Sequence, residues 1–179
     1  MEPCRILPDH AVYFVTFTVV EWLPVFVSDD ACQIVAKSLD FCQREKGLRI
    51  NAYVIMPTHM HAILFDAAFD AARLAETMAD LRKFTGRQLA DYCSIHLPVF
   101  SRVLREVAGS DRKRQFWQPS RQPEAILSQW FWRQKLDYLH DNPCRKGLVR
   151  QPAHWRHSSA AYWLGEIMMS DVPLTGLEW

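Results

Sequence analysis

The run Ala11–Val20 (AVYFVTFTVV) is β-branched and aromatic almost throughout, the make-up of a central strand. Beyond it, Ser28 or Asp29 can cap a helix, and apolar residues then recur at helical spacing: Cys32, Val35, Ala36, Leu39 and Cys42. This pattern predicts a helix to about Lys46, stopped by Gly47. A second apolar strand, about Arg49–Met56, meets the turn pair Pro57–Thr58, and a third runs His59–Phe65, so the two form a hairpin. Asp70 opens a second helix, with Ala71, Leu74, Met78, Leu81 and Leu89 on its inner side. The order β-α-β-β-α calls for one more strand, which Glu124–Leu127 can supply. The expected class is α+β: a ferredoxin-like antiparallel sheet (β-α-β-β-α-β) with helices on one face.

Between the second helix and that last strand, Ile95–Arg121 is the least regular part of the chain, with two prolines and a break at Gly109–Ser110. After the strand, Ser128 caps a helix of about Gln129–Asp141, expected to stop at Asn142 because Pro143 disfavours helical backbone in the residue before it. A short helix follows near Ser158–Gly165. No repeat, low-complexity tract or linker divides the chain, so residues 1–179 read as one domain with a core of about 11–163 and a tail of 164–179.

The hairpin carries the first candidate chemistry. In the third strand His59 and His61 stand two residues apart and project from one face, while Met60, Ala62 and Leu64 point to the other. Two imidazoles side by side can share a metal ion if further ligands arrive from elsewhere. For an isolated His-x-His, surface exposure or a satisfied core position is the commoner explanation.

Composition narrows the class. Apolar residues make up 49% and charged residues 23%, the balance of a globular domain with a core of its own. No apolar run is long enough to span a bilayer, and Met1–His10 has no signal-peptide apolar region, so a cytoplasmic protein without a membrane partner is expected. The cysteines (Cys4, Cys32, Cys42, Cys93, Cys144) are odd in number and lack a C-x-x-C pair, which points to reduced thiols.

The net charge of +1 conceals an asymmetry. Residues 101–156 hold twelve Lys/Arg against five Asp/Glu, the rest of the chain nine against fifteen. One third of the length is therefore a candidate polyanion face, unless its charges mix in three dimensions. Within it, Arg112, Lys113 and Arg114 run into Phe116–Trp117, a combination suited to single-stranded nucleic acid, where cations meet phosphates and rings stack on bases. The competing reading buries Trp117 as a core anchor.

Late in the last long helix, Tyr138 and Asn142 lie at i and i+4, hence on one face and roughly 6 Å apart. An amide oxygen is a competent ligand for a hard divalent ion. Two imidazoles and one amide oxygen, with positions open for a phosphate, describe a site for Mg²⁺ or Mn²⁺ more than for zinc. Tyr92 with His96, and Tyr162 with Glu166, have the same spacing, and Tyr13 and Tyr53 sit in apolar strands. Spacing alone does not separate Tyr138 from Tyr92.

The segment Tyr138–Val149 (YLHDNPCRKGLV) resembles the Y-x-x-x-N-P-V-[RK]-A-G-L-V segment of the REP-associated tyrosine transposases, single-tyrosine HUH endonucleases related to the transposases of small insertion sequences. The resemblance extends in order through Tyr13–Thr18 (YFVTFT), Asn51–Phe65, Phe116–Gln118 (FWQ), Glu124–Ile126 and Trp155–Tyr162 (WRHSSAAY). Thr58 and Cys144 depart from the family's usual Asn or Glu and Val, and residues 92–115 are longer than in compact members. The resemblance implies Tyr138 as the nucleophile on an added C-terminal helix, and His59, His61 and Asn142 as metal ligands. It implies single-stranded DNA near a palindromic hairpin as substrate, cut to leave a 5′-phosphotyrosine and a free 3′-hydroxyl. Arg112, Lys113, Arg114, Trp117, Arg121, Arg145 and Lys146 are the expected DNA contacts. Two other readings compete: a non-catalytic single-strand or hairpin binder on the same fold, and a small-phosphoester hydrolase using water. Related enzymes act as monomers or as swapped homodimers; the short link from Leu127 into the helix favours a chain that completes its own site.

Overall fold

In the computed structural model, residues 11–109, 113–119, 122–167 and 170–178 are described. Four strands, β1 (Val12–Thr18), β2 (Leu48–Met56), β3 (His59–Asp66) and β4 (Glu124–Ala125), form one sheet in the order β2-β3-β1-β4. Every neighbouring pair is antiparallel. This is the ferredoxin-like arrangement expected from the element order, with the most apolar strand held between two others. Helix α1 (Asp29–Lys46) starts where the Ser28 hydroxyl accepts the Ala31 N–H at 3.3 Å, and ends at Gly47, whose φ of +69° few side chains tolerate. Helix α2 (Ala71–His96) is capped by the Asp70 carboxylate, which accepts the Arg73 N–H at 3.0 Å.

Strand periodicity divides the core in two. Tyr13, Val15, Phe17, Met60, Ala62 and Leu64 point to one side, where Val35 and Leu39 of α1 and Leu74, Met78 and Leu81 of α2 cover them. Val12, Phe14, Ala52, Val54, Ile63 and Phe65 point to the other, against Trp132, Leu136 and Leu139 of α4 (Gln129–Arg145). Helices α1 and α2 share one face, as expected, and the added helix α4 covers the other. The strands explain why: β1 to β3 are apolar on both sides, and such runs need two covers.

Two expectations are corrected. The irregular stretch contains α3 (Pro98–Glu106), with proline at its first turn and Ser101 and Leu104 buried. Helix α4 does not stop before Pro143 but carries it inside the last turn and runs on to Arg145. Pro143 is buried there, so packing outweighs the local preference of the residue before it. The short helix α5 (Ala160–Trp163) is in place.

The edge of β2 is covered, which removes a row of unpaired backbone groups from the surface. His157 accepts from Ile55 N–H at 2.8 Å, Ser159 N–H donates to Tyr53 at 2.9 Å, and Thr175 N–H donates to Ile50 at 2.8 Å. A bulge sits between Ile50 and Ala52. There the buried Asn51 amide donates to the Thr175 carbonyl at 3.0 Å and accepts from the Trp132 indole at 2.7 Å. Cys32, Cys42 and Cys93 are free and buried, and burial pushes the Cys32 thiol up to about 12. Among the described residues no helix is long and apolar enough to cross a membrane.

Candidate functional site

His59 and His61 both rise from the α4 face of β3, their ring centroids 4.7 Å apart. Each is oriented through Nδ1 by a threonine: Thr58 Oγ1 lies 3.0 Å from His59 Nδ1, and Thr16 Oγ1 lies 2.8 Å from His61 Nδ1. Thr16 is directly opposite His61 in the β1–β3 ladder, so strand register delivers the hydroxyl. Phe14, two residues earlier on the same face, stacks on the His61 ring at 5.1 Å. Burial, and secondarily the charge of Lys146, lowers His59 to about 4, which keeps its imidazole neutral at pH 7.

Helix α4 brings the other half. The Tyr138 ring meets His61 edge-on at 5.4 Å and Phe14 at 6.0 Å, while 38% of the residue stays exposed to solvent. Arg145 holds its guanidinium 5.4 Å from the centre of the Tyr138 ring, a cation–π contact. Lys146, two turns beyond Tyr138, is close enough for its charge to act on His59. Asn142 lies midway on the same helical face, so the backbone sets it between a residue touching His61 and one acting on His59. It is 5% exposed.

A buried amide carried on the helical face of Tyr138, and two imidazoles whose Nδ1 atoms lie beside hydroxyls, are the groups here that could hold a divalent ion. In the tautomer with hydrogen on Nδ1, the threonine hydroxyl accepts from it and Nε2 carries the lone pair; Asn142 Oδ1 is a hard oxygen donor. Among the described residues no group of three or more His, Cys, Asp and Glu side chains comes together. The donors on offer are two imidazole nitrogens and one amide oxygen.

The expected DNA contacts separate. Arg145 lines an open groove along α4 with Gln134, Lys135, Asp137, Tyr138 and Asp141, and Lys146 is exposed beyond its end. Lys113 is exposed, whereas Arg114 is tied to Asp91 at 2.6 Å and to Ser94 at 3.2 Å. Arg112 and Arg121 lie outside the described residues. Trp117 is corrected: it is 6% exposed, packs on Phe17 and Phe26, and donates its indole N–H to Thr85 Oγ1 at 3.1 Å. A ring so enclosed cannot stack on a base without leaving the core, so the competing reading of Trp117 holds.

The rival tyrosines also separate. Tyr92 bonds Ser28 at 2.7 Å and packs on His96, on the side of α1 and α2. Tyr162 packs on Trp163, and Tyr13 and Tyr53 are buried on the α1–α2 side. Three site residues escaped the sequence pattern. Thr16 and Phe14 became visible only once the β1–β3 register was known. Lys135 stands 4.7 Å from the Phe14 ring centre and 2.6 Å from Glu124; its spacing of three from Tyr138 was the available signal.

No known protein-family profile matches the chain. A REP-associated tyrosine transposase of Escherichia coli (strain K12) is 23% identical over 127 residues, which are 71% of this chain and 63% of that relative's length. The chain thus spans less than two thirds of the curated relative it matches. A solved REP-associated tyrosine transposase bound to a REP hairpin superposes with a TM-score of 0.61 at 18% identity, covering 99% of this chain and 94% of that one. In sequence over most of its length, and in fold over nearly all of it, the chain is similar to the REP-associated tyrosine transposases.

Proposed function

We propose that the protein is a metal-dependent single-strand DNA endonuclease and strand transferase that cuts beside palindromic hairpins through a 5′-phosphotyrosine. The observation that carries this reading is the contact of the Tyr138 ring with His61, 5.4 Å between centroids, across the gap between helix and sheet. The name of the curated relative, and the REP hairpin on the structural neighbour, support a DNA hairpin as partner.

His59, His61 and Asn142 would hold Mg²⁺ or Mn²⁺ beside the scissile phosphate. When bound, such an ion supplies Lewis-acid polarisation of a phosphoryl oxygen. Phe14 and Arg145, packed on Tyr138, limit the ring's swing and keep its hydroxyl near that phosphate. Tyr138 Oη attacks phosphorus as the bond to the 3′-oxygen breaks. The phenol gives its proton to solvent and the departing 3′-oxygen takes one up, leaving a 3′-hydroxyl and a phosphotyrosine ester. A second 3′-hydroxyl attacking that ester reverses the step, restores the phenol and joins two strands. Arg145 and Lys146 supply positive charge for flanking phosphates.

The test mixes purified protein with Mn²⁺ and a labelled hairpin carrying single-stranded flanks. A covalent protein–DNA adduct that vanishes in Tyr138→Phe is the expected result. Binding without adduct across varied flanks identifies a non-catalytic hairpin binder, and phosphoester turnover that survives Tyr138→Phe identifies a water-using hydrolase; either overturns the proposal.

A further inference from the structure

We propose that His140, with Ser159, is a positioning residue that fixes where Tyr138 and Asn142 stand over the sheet; this deepens the function proposed above and rests on it. Helix α4 lies on the sheet mainly through Trp132, Leu136 and Leu139. Apolar contact of this kind is non-directional, and leaves a helix free to slide or roll by fractions of a residue. Catalysis at a phosphate is sensitive to displacements of about 1 Å. Something directional must set the register of α4, and two buried hydrogen bonds do.

One is near its start, where the Trp132 indole N–H donates to Asn51 Oδ1 at 2.7 Å. The other is His140, whose Nε2 lies 2.8 Å from Ser159 Oγ in a buried contact. Ser159 is itself locked to strand β2. Its hydroxyl accepts the Tyr53 N–H at 2.9 Å and lies 3.2 Å from the Tyr53 carbonyl, and its own N–H donates to that carbonyl at 2.9 Å. His140 therefore bonds, through one hydroxyl, to the backbone of the strand that pairs with β3. The pinned positions are eight residues apart, about 12 Å along the axis, so together they fix both roll and translation.

The position of His140 in the sequence explains its leverage. It stands two residues after Tyr138 and two before Asn142, and helical geometry turns it away from the face those two share. It touches neither DNA nor a metal ion in the proposed reaction. Its hydrogen bond ends where the register of α4 over β2 decides how the phenol and the amide meet the His59–His61 pair. At 9% exposure, it is a polar group that would be costly to bury without that bond.

The experiment compares His140→Ala, His140→Gln and Ser159→Ala with wild type. Gln is chosen because its amide nitrogen can occupy the place of Nε2. Single-turnover adduct formation is measured over a range of hairpin DNA concentrations with Mn²⁺. His140→Ala and Ser159→Ala are expected to lower the rate at saturating DNA ten- to a hundredfold with half-saturation unchanged, and His140→Gln to regain most of it. A rate equal to wild type in His140→Ala overturns the proposal, as does a loss expressed in DNA half-saturation that Gln does not restore.

Amide hydrogen exchange on the same proteins, free of DNA, keeps the two proposals distinguishable. His140→Ala should speed exchange in residues 138–146 and leave β1 and β3 protected. If wild type forms no adduct but this pattern appears, the nuclease reading fails and the positioning role stands; unchanged exchange in 138–146 overturns it. Should His140→Ala fail to fold, Ser159→Ala and His140→Gln carry the same comparison.

Discussion

Thr16 Oγ1 sits 2.8 Å from Nδ1 of His61, directly across the β1–β3 ladder. The hydroxyl holds the imidazole that the Tyr138 ring meets edge-on. Where that hydroxyl accepts from Nδ1–H, Nε2 is the ring nitrogen left to coordinate the proposed ion. Thr16→Val keeps the shape of the side chain and removes only the hydroxyl. Loss of an outer partner of a ligating histidine weakens metal binding on the order of tenfold or more. Calorimetric titration with Mn²⁺ should show that loss with an unchanged thermal midpoint; equal affinity in the variant would remove Thr16 from the site.

Trp117 was a DNA-contact expectation that the fold turns into a stability expectation. It is enclosed by Phe17, Phe26 and Phe116 and bonded to Thr85. Trp117→Ala should cost about 3–5 kcal/mol in chemical denaturation, the range for a large aromatic removed from a core. Trp117→Phe should cost less and bind hairpin DNA as wild type does. A selective loss of DNA affinity in a fully stable Trp117→Phe would restore the stacking role.

Thr16 and Trp117 mark where local sequence pattern stops being informative. Alternation placed His59 and His61 on one face, and i, i+4 spacing placed Tyr138 and Asn142 on another, because both patterns are local. Ser28, Asp70, Ser128 and Gly47 marked helix ends for the same reason: each acts on backbone groups within a few residues. What stayed hidden depended on long-range packing. Thr16 meets His61 only through strand register, and Trp117 is buried by elements distant in sequence. The helix α3 was obscured by its short length and by the proline at its first turn. The end of α4 was misplaced because the burial of Pro143 prevails over a local backbone preference.

Arg145 is the cation whose placement most favours a phosphate, since it packs on Tyr138 and lines the groove beside it. Arg145→Gln keeps length and polarity but removes the charge. The slope of log affinity for hairpin DNA against log salt should flatten by roughly 0.7–0.9, the amount for one phosphate contact. Neutralising Arg114, already engaged by Asp91, should change the slope less. If the two variants give the same slope, Arg145 is not a phosphate contact.

Asp66, at the end of β3, offers a test of what holds the hairpin to α2. Its buried carboxylate accepts from Arg73 through both oxygens and from the N–H groups of Ala68 and Asp70. The Arg73 hydrogen bond, aided by the backbone donors, holds its pKa below the ordinary 3.8 despite the burial that opposes it. A carboxylate depressed in the folded state binds protons more readily when unfolded, so its stabilisation is full above 3.8 and is lost as pH falls through the lower folded value. Asp66→Asn should therefore lower the thermal midpoint by several degrees at pH 7. The gap from wild type should narrow below about pH 4 and nearly close once the wild-type carboxyl is protonated. Melting curves of both proteins from pH 7 down to pH 2.5 decide it: a gap that persists unchanged at the acid end would assign the role of Asp66 to shape, not charge.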